Sequence, residues 1–190
     1  MWDARFPAGD PADLVFLDET NTPLTLSCRR ASAARGTRAL GRVPRGRWEA
    51  VTLLATLTTA GMGPAVQFAG AVDRPIFEQF VAEWLVPWLR PGQVVIWDNL
   101  SVHKSARARA LIEAAGCRVL ALPRSSPDFN PIELAFAKLK QALRRAAART
   151  FEAVVGATGR AFTAISATDA QRFITAAGYS PSGHDLRTTR

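Results

Sequence analysis

The sequence predicts an α/β fold in which a mixed central sheet is flanked by helices. Short apolar runs, typical of buried strands, alternate with longer segments whose apolar residues repeat at helical spacing. Their order is strand, paired strands, helix, strand, helix, strand and then further helices, which is the pattern of a layered α/β domain. The chain has 190 residues, 48% of them hydrophobic, and is long enough for one domain with a buried core.

Three apolar runs predict the first three strands. Residues 14–17 form a short run that ends in Asp18 and Glu19, while residues 51–57 and 65–69 fit a pair of strands joined by a turn. The uncharged stretch that holds this pair is long enough to cross a membrane, which takes about 20 apolar residues. Its threonines, and the glycines and proline at its middle, favour two strands instead, and the N-terminus has no signal-peptide pattern. We therefore expect no membrane partner.

A first helix is predicted to follow Asp73, which can cap it, with Pro75 in its first turn and Pro87 distorting its last turn. Apolar residues form one wide face of this helix: Ile76, Phe77, Phe80, Val81, Trp84, Leu85, Trp88 and Leu89. Residues 94–97 then predict a fourth strand, buried like the first, which is followed directly by Asp98.

The rest of the chain is predicted to be mostly helical. A helix over residues 104–115 and a strand over residues 117–122 lead through a proline-rich loop to Asn130, which is a natural N-cap for the next helix. Two more helices are expected at about residues 151–165 and 168–177.

The charge of the chain indicates a polyanionic partner. The net charge is +8 and the pI is about 10.9, which is typical of a nucleic-acid-binding domain, although a merely basic protein would have the same charge. Seven arginines and no acid fall between Arg29 and Arg47, in an irregular segment. The two cysteines, Cys28 and Cys117, lack the close spacing that the ligands of a typical structural zinc site have.

Three carboxylates have positions that favour a metal site. Asp18 and Asp98 each follow a buried strand, and Glu133 lies in the first turn of a helix. Ligands of α/β sheets collect at strand ends, where acids remote in sequence can meet. Clustered carboxylates repel unless a cation neutralises them, and an all-oxygen ligand set favours Mg²⁺ or Mn²⁺.

Each acid also has a purely structural interpretation. Asp18 could begin a turn, and Asp98 with Asn99 could form one after the strand. Glu133 is the third helical position after Asn130, which is the place of the reciprocal partner in a capping box. The local pattern alone leaves these interpretations open.

Four short strings resemble the DDE transposases, most closely the mariner-like superfamily in its bacterial insertion-sequence branch. They are Phe-Leu-Asp-Glu at residues 16–19, Trp-Asp-Asn at 97–99, His-Lys-Ser at 103–105 and Ser-Pro-Asp-Phe-Asn-Pro-Ile-Glu at 126–133. The last string is the most specific. The resemblance extends over roughly residues 13–179.

The resemblance implies a ribonuclease H-like fold and an enzyme that cuts and joins DNA strands. In that family the spacing of 34 residues between the second and third acids is favoured, and Asp98 and Glu133 have it. Asp18, Asp98 and Glu133 would be catalytic and would hold two Mg²⁺ ions, with Mn²⁺ as a substitute. Water would attack in the cutting step and a DNA 3′-hydroxyl in the joining step. The resemblance also selects Asp18 over its neighbour Glu19.

Several basic residues are candidate DNA contacts because phosphates are bound mainly by Arg and Lys. The first group lies where mariner-like relatives carry a clamp loop, so it is expected to touch a partner subunit as well: Arg29, Arg30, Arg35, Arg38, Arg42, Arg45 and Arg47. His103 and Lys104 follow the second acid, and Lys140 and Arg144 share a helix face with Glu133. Each group also has a structural alternative. The arginine segment could be a solvated loop, His103 and Lys104 an ordinary helix start, and Lys140 and Arg144 part of a neutral helix surface.

The expected organisation is an N-terminal extension at residues 1–12, a catalytic domain at 13–179 with a basic clamp-like insertion at about 22–48, and a flexible tail at 180–190. Relatives carry helix-turn-helix modules before this domain, for which the residues ahead of the first strand leave no room. The resemblance implies a homodimer on transposon-end and target DNA, in the bacterial cytoplasm at the nucleoid. Because no such module fits here, an upstream helix-turn-helix polypeptide is an expected further partner. A non-catalytic or decayed transposase fragment and another ribonuclease H-like nuclease are the alternatives.

Overall fold

The computed structural model describes residues 10–23, 26, 35, 50–124, 126–148 and 150–179. The strands are β1 (Leu14–Pro23), β2 (Ala50–Thr58), β3 (Gly61–Ala69), β4 (Val94–Trp97) and β5 (Arg118–Ala121). The α-helices are α1 (Arg74–Phe80), α2 (Ala106–Ala114), α3 (Ile132–Ala146), α4 (Phe151–Thr163) and α5 (Ala167–Ala176). A π-helical segment, Val81–Leu85, continues α1, and 3-10 turns lie at Pro11–Asp13, Val102–Lys104 and Pro127–Phe129.

The five strands form one mixed sheet in the order β3-β2-β1-β4-β5. β1 pairs with β2 and β2 with β3 in antiparallel fashion, whereas β1, β4 and β5 run parallel. This arrangement confirms the predicted mixed sheet. The parallel pairing of β1 with β4 ends at the pair formed by Leu17 and Trp97, so Asp18 and Asp98 are the first residues beyond it.

Two predicted strand limits are wrong. β1 does not end before Asp18 but continues to Pro23, because its far half pairs with β2. The segment Gly61–Pro64 was predicted as a turn, but it is the start of β3, and the turn itself is at residues 59–60. Pro64 is tolerated there because β3 is an edge strand, where a missing N–H leaves no ladder bond unmade.

Side-chain alternation along β1 supplies both hydrophobic cores. Phe16 points to the face covered by α3, α4 and α5, where it belongs to the same buried cluster as Phe136 and Ile174. Val15 and Leu17 point to the opposite face, which α1 and α2 cover. The same alternation sends the Asp18 carboxylate toward α3 and the Glu19 carboxylate toward α1 and α2.

Of the first three α-helices, all but one begin at a side-chain cap. Asp73 accepts a hydrogen bond from Ile76 N at 2.9 Å and caps α1 as predicted. Ser105 caps α2 by accepting from Ala108 N at 3.1 Å, so this helix begins two residues later than predicted. The exception is α3, for which no side chain provides a cap hydrogen bond.

The helix that begins as α1 is not apolar on one face throughout. Phe77 and Leu85 are fully buried, but Trp84 and Trp88 are 52% and 40% exposed. The π-helical turn accounts for this difference, because an i→i+5 turn rotates the following side chains relative to an α-helix. Within the described part of the chain, no helix combines the length and the apolar character that a membrane span requires.

Candidate functional site

Asp18 lies at the centre of the sheet, where the parallel pairing of β1 with β4 stops. Its carboxylate is only 5% exposed and accepts two hydrogen bonds. Glu19 N donates to Oδ1 at 2.8 Å, and Asn130 Nδ2 donates to Oδ2 at 2.7 Å. The second bond joins residues that are 112 positions apart, so it ties the sheet to the start of α3.

The surroundings of Asp18 oppose its ionisation. Burial raises the pKa of Asp18 to about 8, and the charge of Glu19 adds to this effect. The hydrogen bond from the Glu19 backbone lowers the pKa, while the charges of Asp98 and Glu133 raise it further. The ionised form therefore needs a nearby positive charge to be stable at neutral pH.

Asp98 follows β4 directly, as predicted, and is partly exposed. Its Oδ1 atom accepts a hydrogen bond from Leu100 N at 2.9 Å and lies 2.5 Å from His103 Nδ1. Both contacts use the same oxygen, so the side chain of Asp98 is fixed while Oδ2 remains without a hydrogen-bond partner among the described residues.

Glu133 lies in the first turn of α3 with an exposed side chain. The capping-box interpretation does not hold, because Asn130 N donates to the Pro127 carbonyl at 2.9 Å and the Asn130 side chain accepts no hydrogen bond from α3. Glu133 N instead donates to the backbone carbonyl of Asn130 at 3.1 Å. The predicted N-cap role of Asn130 is therefore wrong.

The three acids line one cavity of about 320 Å³. Its walls come from the ends of β1 and β4, the loop after β5 and the start of α3: Asp18, Asp98, Asn99, Leu100, Leu122, Pro123, Arg124, Ser126, Pro127, Asn130 and Glu133. In their present positions, no three His, Cys, Asp or Glu side chains of the described residues stand close enough together to hold an ion. The fold thus brings the three acids to one cavity, but in their present positions their carboxylates are too far apart to share one ion.

His103 lies behind Asp98 and is buried, with 1% of its surface exposed. Its Nδ1 faces Asp98, and its Nε2 lies 3.0 Å from Glu19 Oε2. Burial favours the neutral ring, but the contacts with Asp98 and Glu19 outweigh it and raise the pKa of His103 to about 9. Because both ring nitrogens face carboxylates, the predicted approach of His103 to a DNA phosphate does not fit its position.

The other predicted DNA contacts are spread over the surface. Lys104 is exposed, in the turn that follows Asp98, and Lys140 and Arg144 are half-buried on α3. Arg35 is exposed. Six further arginines lie outside the described residues: Arg29, Arg30, Arg38, Arg42, Arg45 and Arg47.

Two residues of this region were not singled out by sequence reasoning. Arg124 lines the cavity and brings a positive charge to it. Glu19 was set aside in favour of its neighbour, yet it contacts His103. The signal for Glu19 was its position on the opposite face of the same strand, but only the tertiary structure joins it to the string that contains His103.

Residues 13–155 match the family described as the DDE superfamily endonucleases. This chain belongs to that superfamily. Family membership agrees with the resemblance found in the sequence, while the assignment to the bacterial insertion-sequence branch stays a prediction.

Curated relatives of this DDE-superfamily chain are transposases of nematode elements. The Tcb1 transposase of Caenorhabditis briggsae is 30% identical over 87 residues, which are 44% of this chain and 32% of that protein. The Tc1 transposase of Caenorhabditis elegans is 31% identical over 90 residues, which are 45% of this chain and 33% of that protein. The match thus spans about a third of the length of these relatives.

Solved structures of Mos1 transposase have the same fold as this DDE-superfamily chain. The pre-cleavage Mos1 transpososome matches with a TM-score of 0.73 at 19% identity, over 87% of this chain and 52% of that chain. The catalytic domain of Mos1 mariner transposase matches with a TM-score of 0.62 at 16% identity, over 87% of this chain and 76% of that chain. The predicted ribonuclease H-like fold is therefore confirmed.

Proposed function

We propose that this chain is the catalytic domain of a transposase that cleaves DNA strands and joins them during transposition. The observation that carries the proposal is the cavity shared by Asp18, Asp98 and Glu133, three acids that are remote in sequence. Membership of the DDE superfamily and the nematode transposase relatives support the reaction class.

The residues of the cavity fit a divalent cation. Asp18 is a buried carboxylate surrounded by other carboxylates, an arrangement that a cation would relieve. The Oδ1 atom of Asn130 is buried at the same cavity without a hydrogen-bond partner, so a metal-bound water would satisfy it. An all-oxygen ligand set favours Mg²⁺ or Mn²⁺ over zinc, and Mos1 structures described as containing Mg or Mn have the same fold.

We propose that Asp18, Asp98 and Glu133 hold two such ions. When bound, paired divalent ions stabilise the attacking and leaving oxygens of an in-line displacement at phosphorus. Asn130 orients the Asp18 carboxylate, and the contacts of Oδ1 hold Asp98. No protein nucleophile is required, and Tyr179 is not placed as one, because it is buried and its hydroxyl donates to the Phe129 carbonyl at 2.6 Å.

The substrate and partners follow from the same proposal. Lys104 and Arg124 lie where they could contact phosphates of DNA entering the cavity. We propose that the arginines at positions 29–47 contribute to DNA and subunit contacts, that the chain acts as a homodimer on transposon ends, and that an upstream helix-turn-helix polypeptide recognises those ends. Such an enzyme would work in the bacterial cytoplasm at the nucleoid.

A nicking assay on supercoiled plasmid tests the catalytic proposal. We expect the chain to nick the plasmid with Mn²⁺ or Mg²⁺ and to lose this activity in EDTA. Asp98→Ala should reduce nicking to background while the circular dichroism spectrum and DNA retention remain those of the parent. Asp128→Ala is the matched control, since Asp128 is an exposed acid in the neighbouring 3-10 turn and does not line the cavity.

Two outcomes would count against the proposal. If Asp98→Ala nicks as fast as the parent, the site is assigned to the wrong acids. If the parent binds DNA but never nicks it with either ion, the non-catalytic fragment is the better description. Strand transfer would be tested separately, with DNA that carries the ends of the element.

A further inference from the structure

A row of three side chains, Asp98, His103 and Glu19, runs behind the cavity. His103 Nδ1 lies 2.5 Å from Asp98 Oδ1, and His103 Nε2 lies 3.0 Å from Glu19 Oε2. The second contact is within hydrogen-bond and ion-pair distance. Asp98 lines the cavity, whereas Glu19 and His103 do not, so this row of side chains connects the cavity to the opposite face of the sheet.

The fold holds the imidazole of His103 in one orientation. The ring packs on Phe77, with 4.7 Å between ring centroids, and stacks on Trp97 at 6.1 Å. The turn that carries His103 is anchored by the next residue but one, Ser105, whose hydroxyl donates to Glu78 Oε1 at 2.5 Å. The ring therefore cannot turn away from the two carboxylates without disturbing the core of this face.

The contact with Glu19 keeps Nδ1 turned toward Asp98. Because a carboxylate faces each ring nitrogen, a rotation of the ring would break both contacts at once. Oδ1 of Asp98 is then engaged, and Oδ2 is the oxygen left for the cavity.

We propose that Glu19 is a positioning residue that acts through His103 to fix the Asp98 carboxylate for metal binding. This inference rests on the proposed metal site. Partners of this kind behind a metal ligand typically change metal affinity by about 10- to 100-fold when they are removed. Glu19 is thus given a role distinct from that of its neighbour Asp18, which faces the cavity itself.

The test measures Mn²⁺ affinity by isothermal titration of the full chain. We expect Glu19→Ala to weaken Mn²⁺ binding about 10- to 100-fold. Glu19→Gln should stay close to the parent, because its amide oxygen can still accept from Nε2–H. If Glu19 acted only through its charge, Glu19→Gln would weaken binding as much as Glu19→Ala, which would overturn the proposal. Glu152→Ala, at an exposed glutamate on α4, is the control and should match the parent.

A second variant tests whether His103 transmits the effect. In His103→Asn the amide can stand near the position of Nδ1–H but does not reach Glu19. We expect Glu19→Ala to cause no further loss of Mn²⁺ affinity in the His103→Asn background. A full additional loss there would mean that Glu19 acts without His103. The comparison is between His103→Asn and the double variant, and the circular dichroism spectrum of each must match that of the parent before the titration.

The outcomes also separate this inference from the proposed function. Loss of Mn²⁺ binding in Asp98→Ala, together with parental binding in Glu19→Ala, would overturn the inference alone. A parent chain that binds no Mn²⁺ would overturn the metal site and the inference with it. A purely structural role for Glu19 would lower the melting temperature and leave the Mn²⁺ affinity of the folded chain unchanged, which would also overturn the inference.

Discussion

The metal-free protein should become more stable when Asp18 is replaced by asparagine. The pKa of Asp18 is raised from 3.8 to about 8 in the folded chain, so the folded state binds a proton more tightly than the unfolded state does. Stability is therefore highest below pH 4 with respect to this group and falls as the pH rises toward 8. The amide of the Asp18→Asn variant carries no charge at any pH, so the substitution removes this penalty.

The size of the effect follows from the pKa difference. Each unit corresponds to about 1.4 kcal/mol, so at pH 7 the ionisable side chain costs on the order of 4 kcal/mol. Asp18 is 5% exposed, so solvent screens little of this. The substituted amide can be accommodated if the Asn130 amide rotates, because Asn130 Oδ1 has no hydrogen-bond partner and can accept from the new N–H group.

Urea denaturation in EDTA at pH 5 and pH 8, followed by circular dichroism, measures this prediction. Asp18→Asn should exceed the parent in free energy of unfolding at pH 8 and show a much smaller gain at pH 5. Asp128→Asn, at an exposed acid, should show no such pH dependence. Mn²⁺ should raise the stability of the parent but not that of Asp18→Asn. An Asp18→Asn protein that gains equally at both pH values, or is less stable than the parent at pH 8, would refute the reasoning.

The structure predicts how three further substitutions change the stability of the chain. Gly63→Ala should destabilise the chain by about 1–3 kcal/mol in urea denaturation, because the added Cβ would lie 2.5 Å from Thr56 Oγ1. Tyr179→Phe should lose about 1 kcal/mol, since the buried hydroxyl donates to the Phe129 carbonyl, and near-parental stability would contradict this. Asp169 has a pKa lowered from 3.8 to about 2, first by its partner Lys138 and then by its cap contacts, so its contribution should be present above pH 4 and disappear toward pH 2. Asp169→Asn should flatten the thermal stability profile over that range, and an unchanged profile would count against it.

Local patterns predicted the parts of the fold that depend on local physics. The apolar run before Asp98 and the cap at Asp73 needed only strand burial and helix-start chemistry, and both are present. The turn proposed at residues 61–64 was wrong, because glycine and proline are also tolerated in an edge strand. Which strand lies at an edge depends on the pairing of the whole sheet, so it cannot be predicted from the sequence of one segment.

The site shows the same division between local and tertiary information. Asn130 has the sequence signature of an N-cap, but its side chain accepts no hydrogen bond from α3, and its Nδ2 donates to Asp18, 112 positions away. Because this partner belongs to another element of the fold, the segment around Asn130 does not reveal it. The capping-box interpretation of Glu133 also fails, because Asn130 N donates to the Pro127 carbonyl instead of to Glu133.

The register of β1 decides which of its two adjacent acids faces the cavity. Asp18 is the first residue beyond the parallel pairing with β4, and it shares its sheet face with Phe16 and α3. A shift by one residue would put Glu19 on that face and move every apolar residue of β1 to the wrong core. The packing that fixes the strand therefore also fixes the chemistry. The raised pKa of Asp18 indicates that this placement costs stability in the metal-free chain, as functional sites often do.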